Sequence, residues 1–252
     1  MILEYWRPKE MDDALRLLAR PQPKTIPLGG GTTLSHGVKD NIAVVDLQDL
    51  PLRHITRQGN PLHVGSAVTL QALLESPETG QALSDVLRRE VTLNLRNMAT
   101  VAGTLVTASG RSVLAAALLA LDVRLVFAPE NREVTLGDWL PQRQTMQFSG
   151  LITEVILPLQ PALRFEIVAR SPADQPIVCV AVGTWPSGRT RVALGGFGAA
   201  PVLAMDGPEK GGAEAAVENA CSQASDAYAS GEYRSQVART LVSRLLASGG
   251  KE

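Results

Sequence analysis

Two stretches of this sequence hold residue types that could do chemistry. The first is Gly29-Gly30-Gly31-Thr32-Thr33-Leu34. Three successive residues without Cβ let the backbone turn tightly and aim its N–H groups at an anion, and Thr32 and Thr33 add hydroxyl donors. No Lys follows the last Gly, so this is not a Walker loop, and the GxGxxG spacing of a Rossmann turn is absent. On residue type alone, an anion cradle and a plain strand-to-strand turn both stay open. The second stretch runs from Leu95 to Ser109, LRNMATVAGTLVTAS, and is made mostly of small and hydroxyl residues. It reads as a loop along whose backbone a flat or extended ligand can lie. Arg96 within it is either an anion ligand or the partner of a core carboxylate. A helix over Ser112–Leu121 begins beside this loop, and its N-terminus offers free N–H groups and a dipole that favours negative charge.

Other reactive residue types form no pattern. Cys179 and Cys221 are too few for a four-thiolate cluster or zinc ribbon and read as buried reduced thiols. His36, His54 and His63 have no metal-ligand spacing and read as ordinary strand or surface residues. Trp6, Trp139 and Trp185 read as packing anchors. Tyr228 and Tyr233 are expected to pack the C-terminal helices.

The elements that must position these residues follow from periodicity. The N-terminal segment reads as strand, helix, strand, with Met11, Ala14, Leu15, Leu17 and Leu18 forming the apolar face of the helix. Thr25–Leu28 and Ile42–Leu47 read as strands on either side of the glycine turn. A second unit begins after Gln58-Gly59-Asn60. In it Thr69 is the N-cap of a helix carrying Leu70, Leu73 and Leu74. Helices are expected over Gln81–Arg89 and Val113–Leu121, the latter apolar all round and therefore buried. Strands are expected over Val123–Phe127 and Leu151–Leu157. From Ala162 on, Phe165–Ala169, Ile177–Thr184 and Thr190–Leu194 are expected to form a three-stranded antiparallel sheet with a turn at Pro186-Ser187-Gly188. Two helices follow, near Ala213–Ser222 and Tyr233–Leu246. The fold class expected is α+β.

Composition excludes several functions. Lys and Arg total 24 against 25 Asp and Glu in 252 residues, for a formal net charge of -1, so the basic excess of a nucleic-acid surface is missing. No apolar run approaches the roughly 18 to 20 residues of a membrane span. The opening MILEYWRPKE lacks the basic start and apolar block of a signal peptide, and a cytoplasmic location is expected.

The two stretches, taken together and in this order, resemble the FAD-binding medium subunit of the molybdenum hydroxylases, the family of xanthine dehydrogenase and aerobic carbon monoxide dehydrogenase. There the first loop reads roughly AGGTDL and the second RNxATIGGNLxxASPAGD. Leu62 to Thr69, LHVGSAVT, is similar to the family's IGAxxT strand, and Leu118 to Asp122, LLALD, to LLALDA. Ile152-Thr153-Glu154-Val155 with Pro158 resembles LITEVRLP. Leu194-Gly195-Gly196-Phe197 with Pro201, and then Tyr233-Arg234, resemble the C-terminal GGVAPxP and YR marks.

The resemblance implies an FAD-binding domain of the PCMH type over residues 1–160, made of two α/β subdomains at about 1–57 and 58–160. A flavoprotein C-terminal domain follows over 161–252. It implies that the flavin diphosphate lies against Pro27, Leu28, Gly29, Gly30, Gly31, Thr32, Thr33 and Leu34. Thr100, Val101, Ala102, Gly103 and Thr104, with Ser109, hold the ribityl and isoalloxazine side, and Ile152 adds a contact. It implies a molybdopterin-binding large subunit and a small subunit with two [2Fe–2S] clusters as partners. Electrons then pass from those clusters through FAD to an acceptor such as NAD, and the clusters' place on a partner fits the low cysteine count.

The sequence also departs from the pattern. Thr33 stands for the usual Asp or Glu, Ala102 for the first Gly of the GG pair, and Thr104 for Asn. Gly110-Arg111-Ser112-Val113 replaces PAGD, so Val113 takes the place of a cofactor-contacting Asp. Glu166-Ile167 follows Phe165 where the family has a basic residue. Backbone-mediated diphosphate binding survives such changes, whereas each buried group left unpaired costs about 1 to 3 kcal/mol. These departures motivate a second reading: a chain that has lost FAD and serves as an assembly scaffold among the same partners.

Overall fold

The computed structural model describes residues 1–34, 40–143 and 150–248. His36 lies outside them. The chain begins with β1 (Ile2–Trp6), α1 (Met11–Leu18), β2 (Thr25–Leu28) and β3 (Ile42–Asp46). These strands form a parallel sheet in the order β1-β3-β2. β3, IAVVD, is buried along its whole length, as a central parallel strand covered on both faces must be. Helix α1 covers the sheet through Ala14, which packs with Val45, Leu47 and Leu50.

Next come β4 (Ile55–Arg57), β5 (Pro61–Gly65), α2 (Leu70–Glu75), α3 (Gln81–Glu90), α4 (Leu93–Arg96), α5 (Val101–Thr107), α6 (Val113–Ala120), β6 (Arg124–Ala128), β7 (Arg132–Thr135), α7 (Leu136–Gln142) and β8 (Leu151–Pro158). The strands of this stretch build a five-stranded sheet, β4-β5-β8-β6-β7, in which every pairing is antiparallel. The remaining elements are β9 (Ala162–Val168), β10 (Val178–Thr184), β11 (Thr190–Gly195), β12 (Val202–Gly207), α8 (Ala213–Cys221) and α9 (Gly231–Ala247).

Three expectations need correction. The C-terminal antiparallel sheet has four strands, β12-β11-β10-β9, not three. The extra strand, β12, pairs with β11 at the edge, where half-exposed residues carry no apolar alternation to announce it. Antiparallel pairing is also not confined to the C-terminal part, since the five-stranded sheet is antiparallel too. Finally, the stretch from Leu95 to Ser109 is not a loop. Its middle is helix α5, with Thr100 as N-cap, its hydroxyl accepting from the Gly103 amide at 3.2 Å.

Helix α6 is the centre of the molecule. All eight of its residues are buried, and it packs against α3, α7, β10 and β11. Its VLAAALLA sequence presents an apolar surface in every direction, which only a helix enclosed by other elements can bury. A separate cluster of Val178, Val180, Val182, Val192, Val217, Leu241 and Val242 fixes α8 and α9 on the four-stranded sheet. The guanidinium of Arg234, fully buried, ties this region together. It donates to the carbonyls of Ile177, Gly196, Ala224 and Ala229 and to the Asp226 carboxylate.

Candidate functional site

The glycine turn and the N-terminus of α5 meet face to face. The turn leaves the C-terminal end of β2, where the Leu47 amide donates to the Leu28 carbonyl at 3.0 Å. Gly30 then approaches the Met98 backbone so closely that a Cβ would lie 1.7 Å from its carbonyl oxygen. Gly31 adopts φ +69°, a left-handed conformation that glycine takes without cost. On the opposite side, Thr100 presses its hydroxyl against Gly29, where a Cβ would lie 2.8 Å away.

Between them lies a cavity of about 390 Å³. Of the residues expected to bind a ligand, Pro27 to Leu34, Thr100, Ala102, Gly103 and Ile152 line it. Phe127, Trp139, Leu47, Leu151 and Val106 give it an apolar wall. A second cavity of about 330 Å³ shares Thr32, Thr33 and Thr107 with the first and takes in Thr104, Ser109, Ser112, Glu90 and Gln175. The structure thus brings together every expected residue except Val101, which is buried in the core with its amide donating to the Val68 carbonyl.

The donors at this site differ from expectation. The amides at the start of α5 are already used. Ala102 donates to Ser66, Gly103 to the Thr100 hydroxyl and Thr104 to the Thr100 carbonyl. The start of α6 is closed as well. Glu90, at the end of α3, accepts from the Ser112 hydroxyl and the Leu114 amide, both at 2.8 Å. A carboxylate from another helix therefore sits beside Val113, and burial pushes the Glu90 carboxyl above its ordinary range despite these bonds. By contrast, no described residue accepts from the amides of Gly29, Gly30 or Gly31.

Four side-chain nitrogen or oxygen atoms are buried without a hydrogen-bond partner among the described residues, and two of them belong to walls of the larger cavity: Ser66 Oγ and Arg143 Nε. Neither residue stood out in the sequence. Ser66 does stand where the IGAxxT pattern has alanine, a signal that could have found it. Trp139, expected only to anchor packing, borders the cavity while staying buried against Phe127.

The remaining expectations fall as follows. Among the described residues, Arg96 pairs with no carboxylate. It donates to the Gln71 side chain and the carbonyls of Arg88 and Val91. His54 and His63 meet at the carboxylate of Glu154, 100 and 91 residues further along the chain, at 2.9 and 2.8 Å, away from both cavities. Burial raises the Glu154 carboxyl, but these two hydrogen bonds outweigh it and hold the group below its ordinary range. Both cysteines are buried thiols, with Cys179 pushed up to about 12 and Cys221 to about 11 by desolvation. Tyr228 and Tyr233 are half exposed, and Tyr228 lies beneath the guanidinium of Arg111 at 4.2 Å. Trp6 is likewise half exposed. Among the described residues, no helix is long and apolar enough to cross a membrane.

The family described as FAD binding domain in molybdopterin dehydrogenase matches residues 1–160. The chain belongs to this family. It is a flavoprotein subunit of a molybdenum hydroxylase-type dehydrogenase, an oxidoreductase, and FAD is its cofactor. It is 30% identical to uncharacterized protein YgfM of Escherichia coli (strain K12), over 98% of this chain and 96% of that protein. It is 26% identical to the nicotinate dehydrogenase FAD-subunit of Eubacterium barkeri, over 61% of this chain and 57% of that one. Two solved structures share the fold. Quinoline 2-oxidoreductase from Pseudomonas putida 86 has a TM-score of 0.82 at 21% identity, covering 98% of this chain and 96% of its own. The Cu,Mo-CO dehydrogenase has a TM-score of 0.83 at 22% identity, covering 98% and 97%.

The residues present fit FAD. The amides of the glycine turn, which no described residue accepts from, suit a diphosphate, the apolar wall suits a planar ring, and the Ser66 and Arg143 atoms without a described partner suit a polar ligand. The scaffold reading gains no support from this site.

Proposed function

We propose that this chain collects electrons from iron–sulfur clusters on a small partner subunit and passes them through FAD to an acceptor such as NAD, in a complex whose molybdopterin subunit oxidises the substrate. Bound FAD supplies the redox chemistry, while the chain supplies position and electrostatics. Gly29, Gly30 and Gly31 donate backbone N–H groups to the diphosphate. Their use of main-chain donors explains why Thr33 can replace an acid there without removing the cradle. Pro27, Leu28, Thr32, Thr33 and Leu34 complete that wall. Thr100, Ala102, Gly103 and Ile152 form the opposite wall of the larger cavity, and Thr104 and Ser109 face the cofactor from the second. Val101 acts from the core, holding α5 against the Val68 carbonyl.

The division into a cofactor-binding unit over 1–160 and a C-terminal unit over 161–252 is part of this reading, as is a cytoplasmic location. The observation that carries it is the meeting of the glycine turn and α5 around a cavity in whose walls Ser66 Oγ and Arg143 Nε have no hydrogen-bond partner among the described residues. The test is co-expression with a molybdopterin subunit and a two-cluster iron–sulfur subunit of the same family. The reading expects a stable ternary complex whose flavin is bleached by the substrate of the large subunit and recovers on adding NAD. A chain that binds FAD but neither co-purifies with such subunits nor has its flavin reduced through them would contradict it.

A further inference from the structure

We propose that Arg143 is the counter-charge of the FAD diphosphate, a positioning residue that none of the sequence motifs contains. The inference rests on the cofactor placement above. Arg143 follows the last turn of α7 and lines the larger cavity together with Gly29, Gly30 and Gly31. Its Nη1 donates to the Leu140 carbonyl at 2.7 Å, and its Nη2 donates to the carbonyls of Ala108 and Ala199. The guanidinium is therefore fixed in orientation by three neutral acceptors, and none of them balances its charge.

That lack of balance sets Arg143 apart. Three arginines have a buried Nε without a partner among the described residues: Arg20, Arg143 and Arg191. Arg20 pairs with Glu4, and Arg191 with Asp122 and Asp206. Arg143 pairs with no carboxylate among the described residues: its only bonds there go to the Leu140, Ala108 and Ala199 carbonyls. A partly desolvated cation is costly unless an anion faces it. The amides of the glycine turn can bind a diphosphate but carry no net charge, so the cradle and Arg143 are complementary. A guanidinium suits the task because its fixed fork can hold protein carbonyls with some N–H groups and phosphate oxygens with others.

The test is titration of the purified full chain with FAD, with ADP, and with riboflavin, which lacks phosphate. Wild type, Arg143→Gln and Arg143→Lys are compared at several salt concentrations. Arg143→Gln is expected to weaken FAD and ADP binding about tenfold to a hundredfold and to flatten their salt dependence, with riboflavin binding unchanged. Arg143→Lys keeps the charge but not the fork, so it is expected to retain the salt dependence with an intermediate loss. Should Arg143→Gln fail to fold, as thermal unfolding of the apo-protein reveals, Arg143→Lys carries the test. Unchanged FAD affinity in a folded variant, or equal losses for FAD and riboflavin, would overturn the proposal. Wild-type protein that binds neither FAD nor ADP would instead refute the cofactor placement on which it rests.

Discussion

The carbonyl oxygen of Met98 occupies the space a side chain on Gly30 would need, since a Cβ there would lie only 1.7 Å from it. Through this contact two motifs far apart in the sequence become one wall. Gly30 belongs to the turn after β2, whereas Met98 leads into the Thr100 cap of α5. Neither side can move away cheaply, because the Ala99 carbonyl accepts from the Leu70 amide at 2.9 Å and the Leu28 carbonyl accepts from Leu47.

Gly30→Ala is therefore expected to destabilise the protein by about 3 kcal/mol, the upper end for overpacking, because backbone rather than a flexible side chain blocks the methyl group. Gly31→Ala meets only the Leu28 side chain at 3.4 Å and pays chiefly for its left-handed φ, about 1 to 2 kcal/mol. Urea denaturation of the two variants checks the order. Equal losses would show that the approach to Met98 is not tight.

Thr100 serves both walls. Its hydroxyl caps α5 by accepting from Gly103 and touches Gly29. Thr100→Ala is expected to cost about 1 kcal/mol in stability, while Thr100→Ser keeps most of it. An unfolding midpoint for Thr100→Ser as low as that for Thr100→Ala would show that the methyl group, not the cap, is the stabilising part.

Several of these features were legible in the sequence and others were not, for identifiable reasons. Three adjacent glycines mark a turn, and VLAAALLA marks an enclosed helix, because each pattern has few alternative uses. Helix α5 was hidden because VAGTLVT mixes glycine with β-branched residues, all weak helix formers. Tertiary contacts decide its state, since the Val68 and Ser66 carbonyls take up its first amides. The same residues explain why the second stretch lies at the site with the first amides of its helix already bonded. Glu90 was invisible because its partners, Ser112 and Leu114, lie on another helix. Arg143 is an ordinary residue in sequence, and Ser66 differs only in replacing the alanine of the IGAxxT pattern. Burial without a partner is what marks them out, and burial is a property of the fold.

Glu90 supplies a pH signature. Its folded-state carboxyl is raised by burial, so its contribution to stability is fully present below the unfolded carboxylate range and is lost as pH rises through the folded value. Glu90→Gln is expected to remove that decline. A glutamine can still donate to Ser112 and accept from Leu114, so the helix start stays covered. Stability measured from pH 4 to pH 8, roughly the span over which buried carboxyls titrate, checks this. Parallel curves for wild type and Glu90→Gln would contradict it.

Ser66→Ala should separate apo- from holo-protein. The hydroxyl is buried without a partner, so removing it is expected to leave the apo-protein as stable as wild type or more stable by about 1 kcal/mol. A rotation about one bond turns this hydroxyl to face a bound cofactor, and the variant is expected to bind FAD several-fold more weakly. Thermal unfolding with and without saturating FAD measures both effects. A loss of apo stability equal to the loss of affinity would assign Ser66 a purely structural role.

The placement of the cofactor is tested most directly by a crystal structure of the chain saturated with FAD. The account expects one FAD per chain, with its diphosphate within hydrogen-bonding distance of the Gly29, Gly30 and Gly31 amides and of Arg143. Density for the dinucleotide elsewhere on the chain, or a diphosphate held by the amides of α5 or α6, would contradict it.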